Sequence, residues 1–96
     1  MGRVSTLPTV LVARQSDGNF AVRVRNGKSE TSHVVAVPGE LETQLGLEST
    51  STEALVRASF AFLLDREPAS SILPKFSLDM ISRYFPEYRG EIHKYL

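Results

Sequence analysis

The eleven residues from Ala54 to Leu64 carry only two polar side chains, Arg57 and Ser59. Thr50 and Glu53 just before them have capping-box spacing, and Pro68 bounds the far end. This predicts a helix over 52–66. A helix that is apolar on nearly all sides must be surrounded by protein. A chain of 96 residues has one modest core to offer. The helix therefore needs a sheet on one side and, on the other, further helices or a second subunit. Glu53 and Arg57 form an i,i+4 pair on its one wet edge.

The sheet is expected from the first third. Phe20-Ala-Val-Arg-Val-Arg25 alternates strictly, as a strand with one buried face does. Asp17-Gly18 before it favours a two-residue hairpin turn. That turn would set Phe20 opposite Gln15, Val22 opposite Ala13 and Val24 opposite Leu11. One face would then hold Leu11, Ala13, Phe20, Val22 and Val24. The other would hold Val10, Val12, Arg14, Ala21, Arg23 and Arg25. Ser32 to Val37 reads as a third strand, reached through a longer loop at 26–30.

The rest reads as helix. Residues 39–45 form a short one, with Gly46 in a left-handed ending and Leu47 packed back on Leu41. Pro68 to Leu73 makes one turn. Ser77 is expected to cap a helix over 78–85, and Pro86 to open a last one, because proline is well placed at the first helical position. The expected fold class is α+β in a single domain, 1–96. An N-terminal antiparallel meander of two or three strands (7–37) is followed by four or five short helices (39–96) around the central apolar helix.

Composition excludes several classes. The hydrophobic and charged fractions, 42% and 23%, belong to a globular chain. The apolar runs are too short to span a membrane, and no signal-peptide pattern opens the chain, so a cytoplasmic protein is expected. Met1 to Thr6 fits the loose N-myristoylation pattern, which short sequences often match by chance. Without cysteine there is neither a disulfide framework nor a thiolate metal site. His33 and His93 stand far apart, no catalytic or phosphate-binding motif occurs, and His33 is expected at a strand end with its ring half exposed. Asp65-Arg66-Glu67 is expected to be a solvated helix terminus. No enzyme activity, cofactor, metal or small-molecule substrate is expected.

Two surfaces remain as candidates. Tyr84, Phe85, Tyr88 and Arg89 lie close together in sequence, and aromatics with arginine are preferred anchors of protein interfaces. Pro86 divides this group, so packing at a helix corner is expected for some of its rings. These four are the expected contacts of a non-catalytic, homodimeric interaction or regulatory domain. The second candidate is basic. Residues 1–37 carry five Lys/Arg against Asp17 and Glu30, while residues 38–96 carry six against nine acids. Arg14, Arg23 and Arg25 on one hairpin face, with Lys28 nearby, could meet nucleic-acid phosphates.

Residues 32–66 add a resemblance. They run strand, Pro38, short helix, loop and a helix opening Ser51-Thr-Glu-Ala-Leu-Val-Arg57. This order resembles that of ribbon-helix-helix repressors and antitoxins. It implies that strand 32–37 pairs with its twin from a second subunit and reads the DNA major groove. Pro38 to Glu53 is about a turn short for that family, and strand 32–37 carries no arginine, lysine, asparagine or glutamine.

Overall fold

A computed structural model describes residues 9–46 and 51–96. Its architecture is α+β: a mixed four-stranded sheet with one long helix and several one-turn segments. The strands are β1 (Thr9–Arg14), β2 (Phe20–Asn26), β3 (Ser29–Ala36) and β4 (Lys75–Ser77), in the spatial order β1-β2-β3-β4. The first three are antiparallel, and β4 runs parallel to β3. Between β3 and β4 lie α1 (Leu41–Gln44), α2 (Thr52–Leu64) and a 3₁₀ turn at Ala69–Ser71. After β4, a 3₁₀ turn at Leu78–Met80 runs into α3 (Ile81–Tyr84). Then α4 (Tyr88–Glu91) runs into a 3₁₀ turn at Ile92–Tyr95. Four or five helices is thus only a loose match, and the three-strand meander gains a fourth strand.

The β1–β2 register differs by one residue from the expected one. Val10 faces Val24, Val12 faces Val22 and Arg14 faces Phe20. The turn explains this. The Gly18 amide donates to the Gln15 carbonyl (3.1 Å), and the Gln15 amide donates to the Asn19 carbonyl (2.8 Å). The loop is therefore three residues long, Ser16 to Gly18, with Gly18 left-handed at φ 89°. The Asp17 carboxylate accepts from the Asn19 amide (3.0 Å), which fixes the turn. The inner face of the hairpin is consequently Val10, Val12, Phe20, Val22 and Val24, while Leu11 is turned out. At the next turn the long loop gives way to a tight one. Asn26 faces Ser29 across Gly27-Lys28, and Gly27 at φ 64° fits the first central position of a type II′ turn. Val35 then falls opposite Phe20, inside the core.

Helix α2 crosses this inner face. Ser51, one residue later than expected, is its N-cap, with its hydroxyl accepting from the Ala54 amide (3.1 Å). Thr50 lies outside the described residues, as do the N-terminal hexapeptide and Leu47. Leu55, Val56, Ala58, Ser59, Phe60, Phe62 and Leu63 of α2 are buried. Phe60 meets His33 of β3 and Phe76 of β4, with ring centroids 5.3 and 5.9 Å away. Phe62, on the other side, meets Phe85, Tyr88 and Tyr95 edge to face at 5.2–6.0 Å. The chain's own C-terminal segment therefore covers α2, and no second subunit is needed to bury it. Each of these large side chains contributes about 1.5–3 kcal/mol of burial. Glu53 and Arg57 pair at 3.8 Å, as expected.

Gly46 is left-handed at φ 72°, and the turn at 69–71 forms where Pro68 placed it. Ser77 does not cap a helix with its side chain. It ends β4, and its hydroxyl donates to the Ala36 carbonyl (3.5 Å). Phe85 leaves helical geometry (φ −132°, ψ 86°) because Pro86 follows it. No helix among the described residues is long and apolar enough to cross a membrane.

Candidate functional site

The corner at Pro86 sorts its four candidate residues. Tyr84, in the last position of α3, is 66% exposed, Phe85 is half-buried and Arg89 is exposed. Tyr88 is fully buried against Phe62, and its hydroxyl shares a 2.7 Å hydrogen bond with that of Ser59. As folded it has no surface to offer a partner. Burial pushes the Tyr88 phenol pKa up, partly opposed by the bond to Ser59.

Tyr84 and Phe85 lie on an apolar groove of about 300 Å³. It opens between the C-terminal end of α2, the 69–73 turn, β4 and α3. Leu63, Ile72, Phe76 and Ile81 form its walls, and Leu73 and Tyr84 stand exposed on its rim. Met80 also lines it, and among the described residues Glu67 is the only charged one that does. Its wall is held in place by His33. The buried imidazole donates from Nδ1 to the Leu73 carbonyl (2.8 Å), since a carbonyl can only accept, and Nε2 meets the Thr31 hydroxyl (2.8 Å). The Val34 amide donates to the Pro74 carbonyl (2.8 Å) alongside. His33 is thus not the half-exposed strand-end residue expected; it ties β3 to the segment that carries Leu73.

Arg66 performs a similar task just past the C-terminus of α2. Its Nε donates to Glu87 (3.0 Å), and Nη1 donates to the Phe62 carbonyl (3.1 Å) and the Tyr95 hydroxyl (3.3 Å). Its guanidinium lies 3.7 Å from the Phe62 ring centroid. Tyr95 in turn donates to Asp65 (2.6 Å). Hydrogen bonding to Tyr95 holds the Arg66 pKa above its ordinary value; desolvation opposes it, and the bond to Glu87 adds a smaller upward push. The Glu87 carboxylate is held below its ordinary range, first by its own backbone amide and then by Arg66. The residues 65–67 are therefore not a plain solvated terminus: Arg66 locks the C-terminal segment onto α2.

The basic candidates separate. Arg23 and Arg25 stay together on the outer face of β2, each 3.6 Å from Glu30, which lies between them. Arg14 points to the opposite face, with its guanidinium 5.2 Å from the Phe20 ring centroid. Lys28 sits in the β2–β3 turn.

The chain matches no family model, curated protein or solved structure.

The strand that the ribbon-helix-helix resemblance would pair with a twin is flanked within this chain: β3 has β2 along one side and, over Val34–Ala36, β4 along the other. The histidines do not converge. His93 donates from Nε2 to the Leu45 carbonyl (3.1 Å), and among the described residues neither ring hydrogen-bonds to a carboxylate. Among the described residues, no group of three His, Asp or Glu side chains could hold a metal ion. Sequence reasoning named Tyr84 and Phe85 but missed the rest of the groove. Leu63, Ile72, Leu73, Phe76 and Met80 come from several elements, and only the fold brings them together.

Proposed function

We propose that this chain is a small non-catalytic protein-interaction module whose contact surface is the groove edged by Tyr84 and Phe85. One observation carries this reading: Leu73 and Tyr84, 49% and 66% exposed, stand on the rim of a groove with apolar walls. Two large side chains left in water beside an apolar trough are what an interface anchor requires. The core does not need a second copy to bury α2, so the reading rests on the groove and not on dimerisation.

Random peptides displayed on phage, selected on the folded protein, provide the test. Enriched peptides should lose binding to a Leu73→Ser/Tyr84→Ala variant that keeps the thermal midpoint of the wild type. Peptides that bind this variant undiminished would sink the reading.

A second reading keeps Arg23 and Arg25 as a nucleic-acid contact, because they remain adjacent on an open sheet face. Glu30 between them cancels part of their charge, and Arg14 faces away. This reading requires salt-dependent retention on heparin or DNA that disappears in Arg23→Ala/Arg25→Ala. Absence of retention at low salt removes it.

A further inference from the structure

We propose that the partner segment of this groove carries a lysine or arginine close to its bulky apolar anchor, and that Glu67 receives this cation. The inference rests on the interaction reading above and adds the chemistry of the occupant.

Glu67 is half-buried on a groove wall whose other members are apolar or uncharged. The two charges that precede it in sequence are engaged. Arg66 is directed to Glu87, Glu91 and the Phe62 carbonyl, and Asp65 accepts from Tyr95. Among the described residues, the Glu67 carboxylate has no ion pair and no hydrogen bond. Its backbone amide, three positions past the end of α2, donates to the Leu63 carbonyl (2.9 Å). Arg66 already meets the Phe62 carbonyl at this end of α2, so it is the unpaired Glu67 carboxylate that favours a cation. Closing an apolar segment over Glu67 without one would strand a charge in an increasingly dry site. An anionic or purely apolar occupant is disfavoured by the same argument. Tyr84 on the rim offers a further exposed aromatic face to the cation.

The rim identifies a peptide rather than an enclosed small molecule. Small-molecule sites bury most of their ligand. Here Leu73 and Tyr84 remain exposed, so the groove accepts side chains protruding from a larger body.

The test extends the peptide selection. Enriched peptides are synthesised with their cation intact or replaced by glutamine, and both forms are titrated by fluorescence anisotropy. The proteins are wild type, Glu67→Gln and Leu73→Ser/Tyr84→Ala. Enrichment of an apolar residue with Lys or Arg within a few positions is expected. Removing the cation, or making Glu67→Gln, should weaken binding about two- to fivefold. Making both changes should weaken it little further, because the two report one interaction. Peptides that lack cations, or that bind Glu67→Gln as tightly as wild type, overturn this inference while the groove reading stands. Peptides indifferent to Leu73→Ser/Tyr84→Ala, or no enrichment at all, overturn both.

Discussion

The hydroxyls of Ser59 and Tyr88 meet at 2.7 Å, and neither side chain is exposed to solvent. This bond joins the middle of α2 to the start of α4, across 29 residues of chain. Each group satisfies the other in a place that water does not reach. Tyr88→Phe strands the Ser59 hydroxyl, and Ser59→Ala strands the phenol. Each single change should cost about 1–3 kcal/mol. The double variant should cost clearly less than the sum, because it removes both polar groups together. Urea unfolding of all four proteins measures the coupling. A double variant that loses the full sum would show that the hydroxyls do not depend on each other.

The same burial sets an alkaline limit. The folded state holds the Tyr88 proton beyond the ordinary tyrosine pKa of about 10, whereas the unfolded chain releases it there. Above that pH the unfolded state binds fewer protons than the folded one, so stability falls as pH rises. The contribution is complete below about pH 10 and is lost as pH rises through the folded value. Tyr88→Phe removes this slope. Unfolding free energies followed from neutral to alkaline pH should fall less steeply for the variant than for wild type. Parallel slopes would contradict the assignment.

Local pattern made part of this fold legible. The apolar run fixes α2, strict alternation fixes β2, and Gly46 marks a left-handed turn. What was hidden depends on partners distant in sequence. β4 is three residues long and exists only because it pairs with β3. An aromatic beside an arginine reads the same whether it ends exposed, like Tyr84, or buried, like Tyr88. Arg66 looked solvated because Glu87 and Tyr95 lie 21 and 29 residues away. The hairpin register failed for a different reason: Asp17-Gly18 suits both a two-residue and a three-residue loop, and these place opposite faces of β1 inward.

Arg66 should act as a lock for the C-terminal segment. Arg66→Ala removes its bond to the Phe62 carbonyl and its stacking on the Phe62 ring, at a cost of about 1–2 kcal/mol. Lysine should not restore it, since an ammonium cannot match the fork of a guanidinium. Amide exchange should accelerate across residues 88–95 before it does in β2 and β3. The effect also has a pH sign. Because the Glu87 carboxylate is depressed in the fold, its pairing stabilises above the ordinary carboxylate range and is lost on acidification through the folded value. Arg66→Ala should blunt this part of the acid dependence. Uniform acceleration of exchange across the whole chain would remove the lock from the account.

Gly18 tests the register directly. Its φ of 89° lies where a side chain strains the backbone, although a Cβ there meets nothing within 4 Å. Gly18→Ala should therefore cost about 1–2 kcal/mol from conformation alone, and Gly18→Asn less. The variant could in principle escape by slipping to a two-residue loop. That slip would turn Val10 and Val12 outward and bring Leu11 and Ala13 against the core, exchanging two packed valines for a poorer fit. The chain should accept the strain instead. Cross-strand nuclear Overhauser effects between Val12 and Val22 should persist in Gly18→Ala, with a lower urea midpoint. New contacts between Ala13 and Val22 would show that the turn, not the core, sets the register.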